Sequence, residues 1–99
     1  MTDPDTHDQA LLTRAASLLD CVGAHRATAA EVALPCLAAA ELLERAGGRA
    51  SRVELIEGQP RPTILAALGA LSKLGDDVFR TDHVLQASRT ARRALNLVG

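Results

Sequence analysis

The chain has 99 residues, of which 47% are hydrophobic, and its formal net charge is −1. The hydrophobic residues are mainly 19 Ala and 16 Leu, with a single Phe and neither Trp nor Tyr. This composition excludes base-stacking platforms, aromatic cages and aromatic-lined cofactor pockets. The length fits one small domain, 1–99, with a thin margin of stability that pairing with a second copy would raise.

The first predicted element is an N-terminal helix over 7–26. Thr6 and Gln9 have the spacing of a capping box at its start. An apolar stripe with helical period follows, formed by Leu11, Ala15, Leu18 and Val22 and widened by Leu12 and Leu19. This spacing predicts a helix that packs along another helix, in the same chain or in a second copy.

A second capping box, at Thr28 and Glu31, predicts a second helix that ends before Gly47. Pro35 lies inside this helix and predicts a kink near Leu34, because proline lacks a backbone donor and crowds the preceding turn. The predicted buried face of this helix consists of Val32, Cys36, Ala39, Leu43 and Ala46.

Two short helices are predicted next. Ser51 and Glu54 form a third capping box, but Gly58 follows so soon that only about six residues, Arg52–Glu57, fit in the helix. Pro62 is suited to the first turn of the following helix. The predicted buried face of that helix consists of Ile64, Leu68, Leu71 and Leu74.

Residues 77–86 allow two interpretations. The segments DVFR and HVLQ, separated by Thr81 and Asp82, have the composition of two short strands joined by a tight turn. Alternatively, Thr81 caps a helix that continues to the end of the chain. The face predicted for that helix consists of Val84, Ser88, Ala91, Leu95 and Val98. A final helix over 90–97 is common to both interpretations.

The order of these elements resembles a known family. The segment LAAAELLERAGGRASRVELIEGQPRPTILAALGALSKLGDDVFR is similar to a winged helix-turn-helix domain, with a helix, a Gly-Gly turn, a short helix, a proline turn, a second short helix and a wing. LPCLAAAELLERAGG and ALGALSKLGDDVF most resemble the N-terminal dimerisation domain of bacterial small-molecule O-methyltransferases. The resemblance implies a mainly α fold, a small winged-helix domain over 28–97 with an extra N-terminal helix. An all-α antiparallel four-helix bundle is the alternative, and both predict a homodimer.

The catalytic half of such a methyltransferase has no counterpart in the sequence. No Gly-rich turn follows a strand to hold S-adenosylmethionine, so methyl transfer by this chain alone is not supported. We therefore expect no cofactor and no enzymatic activity.

The helix after PRPT is the one that DNA-binding members of this fold place in the major groove. Its groove-facing residues would be Leu65, Ala66, Gly69 and Ala70, none of which can read a base edge. The residues that could contact phosphates are Arg61, Thr63, Lys73 and Arg80. Residues 49–99 hold eight basic side chains against five acidic ones, whereas 1–48 hold three against seven. A small DNA-binding transcriptional regulator is therefore the alternative function.

An apolar outer surface on that helix is better explained by contact with protein. Leu34 and Leu37 also point away from the predicted buried face of their helix, so they need a partner to leave water. The residues predicted to contact a second copy or another protein are Leu11, Leu18, Val22, Leu34, Leu37 and Leu65. The leading expectation is a non-catalytic dimerisation or protein-interaction module.

Cys21 and His25 lie one helical turn apart, a spacing that can place two ligands on one metal ion, and Cys36 is a third candidate. We expect no metal, because Cys36 lies in the middle of an apolar helix face, where cysteine behaves as a small hydrophobe. A catalytic triad with Asp20 is disfavoured, since Asp20 and Cys21 point about 100° apart on one helix.

No apolar run is long enough for a membrane span, and the first ten residues are acidic where a signal peptide is basic. We expect a cytoplasmic protein in which both cysteines are thiols. The expected partners are a second copy, another protein or DNA, with no membrane.

Overall fold

The chain is seen in a computed structural model that describes residues 4–98. Its regular elements are helices: α1 (Pro4–Ala24), α2 (Ala30–Arg45), a 3-10 turn (Ile56–Gly58), α3 (Pro60–Ser72), α4 (Asp76–Phe79) and α5 (Asp82–Val98). Over 4–98 there is no strand. The mainly α fold expected in the sequence analysis is confirmed.

Four long helices form the body of the domain, and each packs against two others. α1 packs against α2 and α3, and α5 packs against the same two helices. Between α2 and α3 the chain returns along α1 as a segment without helical structure, residues 47–55, which we call the strap. The strap carries the chain from the end of α2 to the start of α3, so that α2 and α3 occupy opposite corners of the four-helix arrangement.

The core is built from small aliphatic side chains, as the composition requires. Its largest fully buried members are Leu19, Leu43, Ile64, Leu71, Val22, Val84, Thr63 and Cys36, with alanines filling the spaces between helices. On α2 the predicted buried face is confirmed for Val32, Cys36, Ala39 and Leu43, while Ala46 is half-buried. On α3 the prediction is confirmed for Ile64 and Leu71, while Leu68 is half-buried; Leu74 is buried just beyond the end of the helix.

The short helix predicted over Arg52–Glu57 is wrong. Residues 51–55 have no helical structure, and only a single 3-10 turn follows at Ile56–Gly58. The Ser51 N–H, which a capping box would bond to the Glu54 carboxylate, donates instead to the hydroxyl of Ser17 on α1 at 2.9 Å. A tertiary partner has replaced the local one, because the spacing of a capping box does not by itself exclude other acceptors.

The capping box predicted at Thr28 and Glu31 is also wrong. α2 begins after Ala29, which makes no side-chain cap, and the Thr28 hydroxyl oxygen is buried without a hydrogen-bond partner in the described part of the chain. Pro35 lies inside α2, and the helix continues through it. At the start of α1 the side chain of Thr6 lies outside the described residues, and Gln9 donates to the Gly47 carbonyl at 3.4 Å.

Residues 77–86 hold the end of α4 and the start of α5, so the interpretation as two strands is wrong and the helix to the end of the chain is confirmed. Thr81 does not cap it through its side chain, because its hydroxyl donates to the Val78 carbonyl at 2.7 Å. α4 ends at Phe79, and Thr81 accepts the Leu85 N–H at 3.0 Å through its carbonyl in the first turn of α5. α5 buries Val84, Ala87, Ser88, Ala91 and Ala94. This burial along the whole helix outweighs the strand preference of a few Val and Phe residues.

Candidate interaction surfaces

The first candidate site is an apolar patch on the outer face of α2. Leu34 is 67% exposed and Leu37 is 38% exposed, which is unusual in a chain whose other α2 leucines face inward. Ala30 and Ala38 are exposed on the same helix at positions one turn away. We call these four residues, Ala30, Leu34, Leu37 and Ala38, the α2 patch.

The α2 patch is held in place by the close approach of α1 and α2. A Cβ added at Gly23 would lie 2.6 Å from Leu37 Cδ2 and 3.2 Å from the Ala33 carbonyl oxygen, so Leu37 rests directly on the glycine. Beyond the patch, Arg45 and Glu41 form an exposed salt bridge of 3.0 Å. The patch is therefore apolar in the first half of α2 and bordered by charges in the second half.

The residues predicted to form an interface do not form one surface. Leu18 and Val22 are 4% and 0% exposed inside the chain's own core, so their prediction as contact residues is wrong. Their side chains face α2 and α3 because the apolar stripe of α1 is wide enough to be covered by two helices. Leu11 is half-buried, and Leu65 is 46% exposed on α3, the helix at the opposite corner from α2. The structure brings only Leu34 and Leu37 together.

The second candidate site is the strap, whose backbone is bonded to a row of polar side chains on α1. The Arg49 N–H donates to Thr13 Oγ1 at 3.1 Å, and the Ser51 N–H donates to Ser17 Oγ at 2.9 Å. The Cys21 thiol then donates to the Val53 carbonyl at 2.8 Å.

The spacing of the bonded residues along α1 matches their spacing along the strap. Four residues of helix advance about 6 Å, and two residues of extended chain advance about 6.6 Å. The α1 row, at intervals of four, therefore bonds every second residue of the strap. One face of α1 thus forms hydrogen bonds with the strap at the positions where a neighbouring strand would form them.

The opposite edge of the strap has no hydrogen bond to the residues that the structure describes. Successive residues of an extended chain direct their N–H and C=O groups to alternate sides, so those of Ala50, Arg52 and Glu54 point away from the row on α1. In the described part of the chain no hydrogen bond reaches these groups. Arg52 and Glu54 are exposed, whereas Val53 is half-buried between them.

Two open clefts lie between the strap and α1. One, of about 520 Å³, lies between the strap and the last turns of α1. The other, of about 420 Å³, lies between the strap and the middle of α1, with Leu18, Val53 and Ile56 as apolar walls and Arg14 and Glu54 as its charged residues.

The two cysteines occupy different environments. Burial raises the pKa of the Cys36 thiol to about 11 in the core. Burial, and then the nearby carboxylates of Asp20 and Glu54, raise the pKa of the Cys21 thiol. The neutral thiol is therefore favoured at both positions, which is the opposite of what a nucleophile requires.

His25 lies in the same cleft as Cys21, but its Nδ1 accepts the Ala27 N–H at 3.2 Å at the end of α1. Among the side chains that the structure describes, no three of His, Cys, Asp or Glu come close enough to hold a metal ion. Cys36 is fully buried on α2, so the structure does not bring together the three candidate ligands Cys21, His25 and Cys36.

The residues predicted to contact phosphates are not all on the surface. Thr63 is 0% exposed, and its hydroxyl donates to the Gln59 carbonyl at 3.0 Å and accepts the Ile56 N–H at 2.9 Å. The prediction for Thr63 is therefore wrong, because its hydroxyl fastens the 3-10 turn to α3. Arg61, Lys73 and Arg80 are exposed, and DNA contact through these three stays a prediction.

The row on α1 was missed by the sequence analysis. Gln9, Thr13, Ser17 and Cys21 recur at intervals of four on a helix that is otherwise rich in Ala and Leu. A polar line beside an apolar stripe is the signal that could have identified a segment bonded along the helix.

Comparisons with protein-family models, with curated proteins and with solved structures each gave no match for this chain. Among the described residues, every helix is too short or too polar to cross a membrane.

Proposed function

We propose that this chain is a non-catalytic protein-interaction module that forms a homodimer through the α2 patch. The observation that carries the proposal is the exposure of Leu34, at 67%, beside Leu37 on the same face of one helix. Burying apolar area of this kind is the main driving force for association. An isologous contact suits a patch on a single helix, since the same residues then meet on both copies.

The arrangement of the patch supports a second copy as the occupant. In a two-fold contact with antiparallel α2 helices centred between Leu34 and Leu37, Leu34 of each copy lies opposite Leu37 of the other. Glu41 then lies beside Ala30 at the rim, where it keeps its own exposed salt bridge to Arg45.

For the finer architecture we propose an antiparallel four-helix bundle in place of a winged helix. Support comes from the packing, in which α1, α2, α5 and α3 each contact two neighbours. A bundle is also supported by the segment expected to form a wing, which has no strand and contributes residues to α4 and α5. Both architectures predict a homodimer, so the choice between them leaves the proposed contact unchanged.

The experiment is a comparison of solution mass by light scattering for the wild-type chain, Leu34→Ser and Leu65→Ser. Both substitutions replace an exposed leucine, at 67% and 46%, and neither opens the core. We expect Leu34→Ser to lower the average mass and Leu65→Ser to leave it unchanged. Equal masses for all three proteins would contradict the proposal.

A further inference from the structure

The strap has the properties of an edge strand that lacks its neighbour. One edge is bonded to the row on α1, while no hydrogen bond within the described residues reaches the backbone groups of Ala50, Arg52 and Glu54 on the other. Natural proteins usually protect such an edge with proline, a bulge, charged side chains or a very short strand. The strap contains no proline, and the two charged residues on its outward edge, Arg52 and Glu54, have opposite signs.

Charge selects how a second strand could lie against this edge. Only residues 50, 52 and 54 direct hydrogen-bonding groups outward, so an identical antiparallel strand must place even-numbered residues opposite each other. If Arg52 lay opposite Arg52, or Glu54 opposite Glu54, like charges would meet directly, which is destabilising. Among the registers that remain, only the one with Arg52 opposite Glu54 places opposite charges in both cross-strand pairs.

We propose that a second copy of this chain pairs with the strap in that register, antiparallel, with Val53 on the two-fold axis. Arg52 of each copy exchanges two backbone hydrogen bonds with Glu54 of the other, and their side chains form an opposite-charge pair on the outer face. The strap thus supplies a second two-fold contact, distinct from the α2 patch, and does not depend on it. A chain with two different two-fold contacts can assemble beyond a dimer.

The contact is small, so it is weak and concentration-dependent. Two short strands are marginal alone, but here each strand is already fixed by the α1 row, which lowers the entropy lost on pairing. The half-buried Val53 side chain faces the domain, so the outward face of the paired strands carries the four charged side chains.

The test is made in a Leu34→Ser background, in which the α2 contact is removed by a change at an exposed residue. Sedimentation equilibrium of Leu34→Ser alone is expected to show a reversible monomer–dimer equilibrium in the range of hundreds of micromolar. Adding Arg52→Glu, or separately Glu54→Arg, places like charges in both cross-strand pairs. Each is expected to weaken the dimer by about tenfold or more.

The decisive experiment mixes the Arg52→Glu and Glu54→Arg proteins, both in the Leu34→Ser background. One copy then carries Glu at 52 and 54 and the other carries Arg at both, so both cross-strand pairs have opposite charges again. The mixture is expected to form a heterodimer more readily than either protein forms a dimer by itself, an outcome that loss of folding cannot produce. A Leu34→Ser protein that stays monomeric over this range, or a mixture that associates no better than its components, overturns the proposal.

The result of the charge-exchange experiment does not depend on whether the α2 patch forms a dimer. If Leu34→Ser does not change the mass of the wild-type chain, the proposed function fails, while the charge exchange still reports on the strap.

Discussion

The Cys21 thiol donates a hydrogen bond of 2.8 Å to the carbonyl of Val53, thirty-two residues further along the chain. The thiol thus takes the place that a backbone N–H occupies in a sheet. Together with Thr13 and Ser17, it fixes an extended segment along a helix without any strand partner in the described part of the chain. The long connection from α2 to α3 is thereby ordered by side chains and not by its own secondary structure.

The contribution of this row can be measured at Ser17, which is 3% exposed. Ser17→Ala removes the acceptor of the Ser51 N–H, so we expect a loss of about 1–2 kcal/mol in the free energy of unfolding. Hydrogen exchange of the Ser51 amide should accelerate by more than the global loss explains. Ser72→Ala is the control, because the Ser72 hydroxyl is exposed and bonds only to Gly69 in the same helix. Equal effects at both serines would show that the row does not hold the strap.

Two glycines in helices should respond in opposite directions to alanine. Gly23→Ala would place a Cβ 2.6 Å from Leu37 Cδ2, so we expect the free energy of unfolding to fall by about 1–3 kcal/mol, even though alanine favours a helix. At Gly69 a Cβ meets nothing within 4 Å. We therefore expect Gly69→Ala to raise stability by about 0.5–1 kcal/mol. Denaturant unfolding measures both, and stabilisation by Gly23→Ala would contradict the close approach of α1 and α2.

The Cys36 thiol makes stability depend on pH in the alkaline range. Its pKa rises from 9.0 to about 11 on folding because burial disfavours the thiolate. Between pH 9 and pH 11 the folded state therefore keeps the proton that the unfolded state loses. The contribution of the thiol to the free energy of unfolding is complete below pH 9 and disappears as pH rises toward 11. The expected loss is about 2–3 kcal/mol across this window.

Unfolding by denaturant at a series of pH values measures this effect. Cys36→Ala is the control: its stability should be lower at neutral pH, because a buried sulfur is removed, but should change less between pH 9 and pH 11. Parallel curves for the two proteins would show that the thiol does not contribute.

The helices could be predicted from the sequence, because hydrophobic period is a property of each segment by itself. The buried faces of α2 and α3 follow directly from the spacing of Val32, Cys36 and Leu43 and of Ile64 and Leu71. The strap could not be predicted in this way. Ser51 and Glu54 match a capping box in sequence, and only the position of Ser17 on another element decides where the Ser51 N–H is bonded.

The candidate site could be predicted only in part, for a similar reason. Leu34 and Leu37 lie off the stripe of α2, so their exposure follows from helical period alone. Leu18 and Val22 lie on a stripe that could equally face another copy or the chain's own core, and the packing of α2 and α3 against α1 decides between these. The outward edge of the strap depends on the same tertiary contacts.

The central claim is that the α2 patch binds a second copy, and sedimentation equilibrium of the Arg52→Glu variant tests it most directly. That substitution disrupts the strap contact and leaves Leu34 and Leu37 unchanged. We predict a mass that rises with concentration from the 10.4 kDa of a single chain toward twice that value, and that returns to the single-chain mass when Leu34→Ser is added. A mass that stays at 10.4 kDa at every concentration would contradict the claim.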